Sequence, residues 1–385
     1  IAFLFIVGGA FSIVSRTKAI DLGILKIVNV FKGKEILVLP ILMFMFSIGG
    51  ATFGMSEEAI AFVAVLMPLV LALGYDSIVA VAITYLACNL GFSAAMLNPF
   101  TVGIAQSIAG IQLYSGVEFR TLVWFVSTLV GCGFVMFYAM KIKKNPELSP
   151  MFEHDQVKRE KLKSTESEHT EFTLRHKIII AALFTSIALV VYGVLKLEFW
   201  LPQIAAVFLG LGIISGLVGK LAPNEIAEAF TDGAKDMIGA AIMIGLAKSV
   251  MIIAQNANII DTILFNLANV VGQLPSLIAS YIMFVIQMFI NFFVSSGSGQ
   301  AALTMPILAP LGDLVGISRQ LSVLIYQLGD GFSNAMFPTS GVLIACLGMA
   351  GVPYGKWLKW ILPLQAILFM TAIVFITIAS LIGWA

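Results

Sequence analysis

The sequence predicts an all-α polytopic membrane protein made of two inverted repeats, each with a re-entrant hairpin and a broken helix. Three observations carry this. Of 385 residues, 59% are hydrophobic and only 11% are charged, against about 25% charged in soluble domains. Mean hydropathy is +1.01, and apolar runs near the length of a bilayer crossing recur along the chain. Polar, glycine- and proline-containing breaks interrupt the runs, and the breaks occur twice at a nearly fixed spacing.

The second break, Gly331–Gly341, reads GFSNAMFPTSG. Ser333, Asn334, Thr339 and Ser340 are polar there, and Gly331, Pro338 and Gly341 are read as interrupting a helix. Non-helical backbone at membrane depth is tolerated only where protein buries it or it lines a wet cavity. Its freed N–H and C=O groups, and the dipoles of two half-helices, then become ligands. The first break, Gly91–Thr101, reads GFSAAMLNPFT and matches at an offset of 240, with a one-residue slip at Pro99 and Thr101. Ile20-Asp21 and Asn29-Val30 recur as Ile260-Asp261 and Asn269-Val270. At offset 242, Ser56, Ala59, Pro68 and Gly74 match Ser298, Ala301, Pro310 and Gly316. Such an ordered series reads as two copies of one unit: repeat 1 over 1–140, a linker over 141–177 and repeat 2 over 178–385.

In order, Ile1–Ser15 ends a spanning helix, and Ile20–Phe31 reads as a short amphipathic interfacial helix. Glu35–Leu73 is a hairpin with its tip at Gly49–Glu58, and Asp76–Ile111 is the first broken helix. Glu118–Met140 spans. The polar Lys141–Lys177 reads as a solvated linker by composition. Ile178–Leu195, Phe199–Gly219 and Met237–Ala254 span, Pro223–Asp236 is amphipathic, and Ile259–Val271 is the second interfacial helix. Pro275–Leu311 is the second hairpin with its tip at Ser295–Gln300, Leu321–Met349 is the second broken helix, and Trp357–Trp384 spans. The two spans that open repeat 2 have no counterparts before Ile1, so at least two further crossings are expected upstream.

Repeat 2 contains five crossings, an odd number, which inverts one copy relative to the other. With the linker placed in the cytoplasm, 18 of the 22 basic residues face inward, as the positive-inside rule asks. Arg120, Lys196 and Arg319 then face out, and Lys248 falls within a span.

The polar groups of the tips and breaks are the candidate site: Ser56, Glu57, Glu58, Ser93, Asn98, Thr101, Ser295, Ser296, Ser298, Gln300, Asp330, Ser333, Asn334, Thr339 and Ser340. Glycine and serine alone also serve close helix packing, but packing does not need proline and amide together. Glu57, Glu58 and Asp330 carry the sharper signal. An intramembrane carboxylate costs about 2.5–3.5 kcal/mol on the lenient scale, and none has a basic partner in its own segment. A structural pair with Lys248 is the plain alternative. Adjacent helical residues point about 100° apart, so Glu57 and Glu58 are not expected to face the site together. Glu58 stands as the first choice, since it lies just past the first hairpin tip, where its helix begins and the N-terminal dipole favours a carboxylate; it aligns with Gln300 across the repeat, and Glu57 with Gly299. Asp76, Asp313 and Arg319 sit at hairpin bases and are expected to be solvated. Cys88, Cys132 and Cys346 lie in apolar segments and read as core. No histidine falls in an apolar segment and no nucleotide-binding loop is present, which argues against an intramembrane protease or an ATP-driven pump.

FSIGGATFGMSEEAIAF, NLGFSAAMLNPFT, SSGSGQAALTMPILAPLGDLVGISRQ and GDGFSNAMFPTSG together resemble the YfcC family, which belongs with the DcuC-type anaerobic dicarboxylate carriers of the ion transporter superfamily. The resemblance covers the chain except the linker. It implies a secondary transporter of the bacterial inner membrane, a homodimer working by an elevator motion on a small-molecule substrate, with sodium or a proton as coupling ion. It implies no other cofactor and no nucleic-acid partner. It puts substrate and coupling ion at Ser93, Asn98, Thr101, Ser333, Asn334, Thr339 and Ser340, with sodium near Ser93, Asn98, Asp330 and Asn334. Ala94 stands where the second break has Asn334, so the two breaks need not bind alike.

Relatives by name suggest either four-carbon dicarboxylates or arginine–ornithine exchange. The residues lean toward a cationic amino acid. Ionised Glu57, Glu58 or Asp330 would repel a dianion and attract a guanidinium or ammonium group, while helix N-termini and hydroxyls could hold the α-carboxylate. An ion channel is the reading from another class, and it would conduct without saturation or counter-exchange.

Overall fold

The computed structural model describes residues 2–20, 22, 35–167, 173–197, 199, 201–238, 241–242, 249, 252–253, 256–257, 262 and 271–384. Most of both expected interfacial helices, most of the span Met237–Ala254, and Lys248 lie outside the described residues. All regular structure among the described residues is helical. Among the described residues, three helices, Val117–Lys144, Ser276–Phe293 and Tyr354–Leu381, are long and apolar enough to cross a membrane.

The chain opens with α1 (Ala2–Arg16). The first hairpin follows as α2 (Glu35–Phe53) and α3 (Ala59–Ala72), joined by a tip at 54–58. Gly54 has φ +79° there, a left-handed turn that suits glycine. The first broken helix runs as α4 (Ser77–Ser93), with a π-helical segment at Ala82–Leu86. It breaks, then resumes through a π turn, Pro99–Gly103, into α5 (Ile104–Ala109). Next come α6 (Val117–Lys144), α7 (Phe152–Ser167), α8 (Leu174–Lys196), α9 (Leu201–Val218) and α10 (Pro223–Asp236). The second hairpin is α11 (Ser276–Phe293) and α12 (Gly297–Leu314). The second broken helix is α13 (Arg319–Asn334) and α14 (Gly341–Ala350), and α15 (Tyr354–Leu381) ends the chain.

Matching positions carry matching devices. α4 starts at Asp76, whose carboxylate accepts from Val79 N at 2.9 Å; α13 starts at Ser318, whose hydroxyl accepts from Leu321 N at 3.1 Å. Each satisfies an orphan N–H of a first turn. Just before these caps, Gly74 and Gly316 turn the chain with φ +88° and +75°. The packing is paired too. α2 packs on α4, and α11 on α13; α3 packs on α14, and α12 on α5. α6 lies against α2 and α4, and α15 against α11 and α13. Each hairpin therefore packs both arms on its own broken helix, and its second arm also on the far half of the other's. α1 packs instead with α9 and α10.

Four expectations need correction. Gly91 and Gly331 do not interrupt helices; both lie inside α4 and α13, and the breaks begin only after Ser93 and Asn334. Their role is close approach. A Cβ on Gly91 would strike the Ser47 carbonyl of α2, and one on Gly331 would strike Ser93.

The linker is not simply solvated. Its helix α7 docks on the bundle because its polar groups satisfy backbone groups left over where α4 starts and α14 ends. Asp155 is fully buried and accepts from Ser77 N at 2.8 Å and Ser77 Oγ at 2.5 Å. Lys158 pairs with Asp155 at 2.9 Å and donates to the Ala350 carbonyl at 2.8 Å. Asp76 is likewise buried rather than solvated, accepting from Tyr138 and Ser149 hydroxyls, each at 2.5 Å. Asp313 and Arg319 do form an exposed ion pair, at 2.8 Å.

Arg120, expected at the outer surface, is 1% exposed. Its guanidinium donates to Gln327 Oε1 at 2.7 Å and lies 5.3 Å from the Trp384 ring. Amides and an aromatic face replace water around it.

Candidate functional site

Both hairpin tips and both helix breaks converge on one cavity of about 300 Å³. Gly54, Ser56, Glu57 and Glu58 line it from the first tip, and Ser295, Ser296, Gly297 and Ser298 from the second. Tyr85, Asn89 and Phe92 of α4 and Asn334, Ser340 and Gly341 of the second break complete the polar wall. Phe100, Phe199 and Ile204 add apolar surface.

Three helices begin at this cavity. α3 starts behind Glu58, α12 behind Ser296 and α14 behind Ser340. Ser296 takes up one orphan donor, accepting from Gly299 N at 3.4 Å. Helix N-termini present partly positive N–H groups, which favour an anion. Among the described residues, the carboxylates in the lining are Glu57 and Glu58, and no lysine, arginine or histidine lines it. The cavity thus offers a fixed negative group and diffuse positive poles within one small volume.

The two glutamates line the cavity together, contrary to expectation, but make different contacts. Glu58 is 8% exposed and turns back on its own tip, its Oε2 accepting from Ser56 N at 3.1 Å. Glu57 is exposed to the cavity and forms no ion pair among the described residues. Glu57 is therefore the free carboxylate, and Glu58 holds the tip in shape.

Of the other predicted positions, Ser296, Ser298, Asn334 and Ser340 line the cavity. Ser93, Asn98, Thr101, Gln300, Asp330, Ser333 and Thr339 are buried behind its wall. Most of these stitch the breaks together. Ser93 Oγ donates to the Asn89 carbonyl at 2.5 Å, and Asn98 Oδ1 accepts from Phe100 N at 2.9 Å. Gln300 donates to Gln287 Oε1 at 2.8 Å. Ser333 Oγ donates to the Gly329 carbonyl at 2.8 Å, and the Thr339 carbonyl accepts from Ser295 Oγ at 2.7 Å.

Sequence reasoning missed two amides. Asn291 donates to the Asp330 carbonyl, Ser333 Oγ and Asn334 Oδ1 at 2.8–2.9 Å and fixes the end of α13. Asn89 donates to the Gly331 carbonyl at 3.1 Å and joins the two broken helices. Each is an amide inside an apolar run, a residue that must find a partner at membrane depth, and that signal was present. Tyr85, whose hydroxyl donates to the Asn334 carbonyl at 3.0 Å, gave no signal, since an aromatic in an apolar run reads as core.

A helical bundle with membrane-length helices, crossed hairpins and a polar cavity between helix breaks has the architecture of a membrane transporter. Residues 1–381 match the family described as DcuC, C4-dicarboxylate anaerobic carrier, and the chain belongs to that family. It is 43% identical over 395 residues to "Putative basic amino acid antiporter YfcC" of Escherichia coli (strain K12), a match covering 100% of this chain and 78% of that protein. It is 34% identical over 370 residues to an uncharacterized protein of Haemophilus influenzae, covering 96% of this chain and 72% of the other. The crystal structure of the YdaH transporter of Alcanivorax borkumensis shares the fold with a TM-score of 0.51 at 15% identity, covering 100% of this chain and 86% of that one.

Proposed function

We propose that this protein is a secondary active transporter of a cationic amino acid of the arginine or ornithine type. The observation that carries the reading is the cavity's charge: Glu57 and Glu58 line it and, among the described residues, no basic side chain does. Glu57 binds the guanidinium or ammonium group. The N-termini of α12 and α14, with Ser296, Ser298, Ser340 and the Asn334 amide, bind the α-carboxylate. The printed name of the Escherichia coli relative agrees with a basic substrate. A second reading, a C4-dicarboxylate, is favoured by the family's description and by the helix N-termini. It requires Glu57 to be protonated or bridged by a cation. Proteoliposomes loaded with unlabelled ornithine are expected to accumulate labelled arginine in a saturable way. Accumulation of labelled succinate with no arginine exchange would reverse the two readings.

The paired packing supports a mechanism. In this reading the two copies form inverted repeats, 1–140 and 178–385. The hairpins and broken helices move together as the transport unit of an elevator, and α1, α8, α9 and α10 belong to the scaffold of a homodimer. The coupling ion is sodium or a proton. The linker, 141–177, faces the cytoplasm of the bacterium and, because α7 docks on α4 and α14, rides with the moving unit. A cysteine placed at Glu160 is expected to escape an impermeant thiol reagent added outside intact cells and to react after lysis. Labelling from outside would invert the topology.

A further inference from the structure

Three phenylalanines keep ring surface in the substrate cavity. Phe92, Phe100 and Phe199 line it and are each half-buried, whereas Phe208, Phe284 and Phe332 of the packed core are almost wholly enclosed. Each ring at the cavity sits against a glycine. A Cβ on Gly54, in the first tip, would lie 2.9 Å from Phe100 Cδ2, and one on Gly297, in the second tip, 3.0 Å from Phe92 Cζ. A Cβ on Gly193, in the last turn of α8, would overlap the Phe199 ring. The glycines leave room for the rings, and the rings share one cavity with Glu57.

Phe199 differs from the other two in origin. It comes from the turn between α8 and α9, outside both hairpins and both broken helices. Leu197 N and Phe199 N both donate to the Gly193 carbonyl, at 2.9 and 3.0 Å. These bonds end α8, fold the chain back and lay the ring on Gly193. Ile204 of α9 is its companion in the lining, and every other described lining residue belongs to a tip or a broken helix. The wall is thus completed by a ring that can be changed while the tips and breaks stay intact.

We infer that Phe199, with Phe92 and Phe100, is the specificity-determining wall of the cavity and makes it prefer a guanidinium to an ammonium group. The inference rests on the basic-substrate reading above and narrows it. A guanidinium is flat and weakly hydrated, so it can give its edge to a carboxylate in a bidentate pair and its faces to aromatic rings. An ammonium is compact and strongly hydrated, and it loses more on leaving water for such a wall. Glu57 supplies the edge-on partner and the phenylalanines supply the faces, around a volume of about 300 Å³ that a bound amino acid largely fills. A dianion gains nothing from the ring faces, whose quadrupole is negative.

The test is calorimetric titration of the purified full chain in detergent with arginine and with ornithine. Wild type is expected to bind arginine about fivefold or more tighter than ornithine. Phe199→Leu keeps apolar bulk and removes the π face. It is expected to weaken arginine about fivefold, to move ornithine less and so to narrow the preference. Phe199→Tyr puts a ring back and is expected to restore the preference. Should Phe199→Leu fail to fold, Gly193→Ala keeps the ring but drives it from its seat, and carries the same expectation. A wild type that prefers ornithine overturns the inference. So does a Phe199→Leu protein that binds arginine as wild type does, or that loses both ligands equally. Each of these results leaves the basic-substrate reading standing. A wild type that binds succinate and neither amino acid overturns that reading and this inference with it, so the two failures are told apart.

Discussion

Glu57→Gln is expected to weaken arginine binding by about 10–150-fold, the equivalent of losing about 1.5–3 kcal/mol from a hydrogen bond to a charged group. The carboxylate faces the cavity, has no basic partner among the described residues, and is the group available to a guanidinium there. The fold should survive, because the hydrogen bond that Glu57 makes at the tip is to its backbone carbonyl, from Ile60 N at 3.2 Å, and the substitution leaves it in place. Glu58→Gln is the informative companion. Its side chain caps the backbone at Ser56, and an amide oxygen can still accept that bond, so a smaller loss is expected. Titration of both variants by calorimetry separates the roles. Equal losses would return Glu58 to direct contact, and an unaffected Glu57→Gln would remove the charge argument.

Gly91→Val is expected to destabilise the transporter by about 3 kcal/mol or more, at the upper end of the usual range for overpacking. The atoms a Cβ would meet at Gly91 are the backbone of Ser47, and those facing Gly50 are the backbone of Cys88 and Phe92. Backbone cannot rotate away as a side chain can, so α2 and α4 must separate along their crossing. Gly133→Val is the control, since nothing lies within 4 Å of the position its Cβ would take. The melting temperatures of the two variants in one detergent decide the matter. Equal melting would show that the crossing is looser than described.

Much of the architecture was legible because the same devices occur twice. Gly74 with Gly316 marks where each hairpin ends and its broken helix begins, and Pro68 with Pro310 marks matching places inside the returning arms, since a left-handed turn and a proline leave residue-level marks. The breaks were legible for the same reason, but their starts were not. Gly91 and Gly331 look like helix breakers, and only the crossing partner, Ser47 or Ser93, tells a packing glycine from a breaking one.

The choice between Glu57 and Glu58 was beyond the sequence. At a hairpin tip the direction of a side chain depends on a few backbone angles, not on helical period. The docking of α7 was hidden too: its composition is that of a solvated segment, and its burial depends on Asp155 finding the N–H of Ser77 far away in the chain. Arg120 illustrates the limit of charge counting, because its neighbours, Gln320, Gln327 and Trp384, all come from the other half.

The central claim is that the cavity's fixed charge selects a cation-bearing substrate. Calorimetric titration of the purified wild-type protein with arginine and with succinate, each in the same buffer, tests it most directly. Saturable heat with arginine, displaced by ornithine, and none with succinate is the predicted result. Saturable binding of succinate with arginine silent would contradict it.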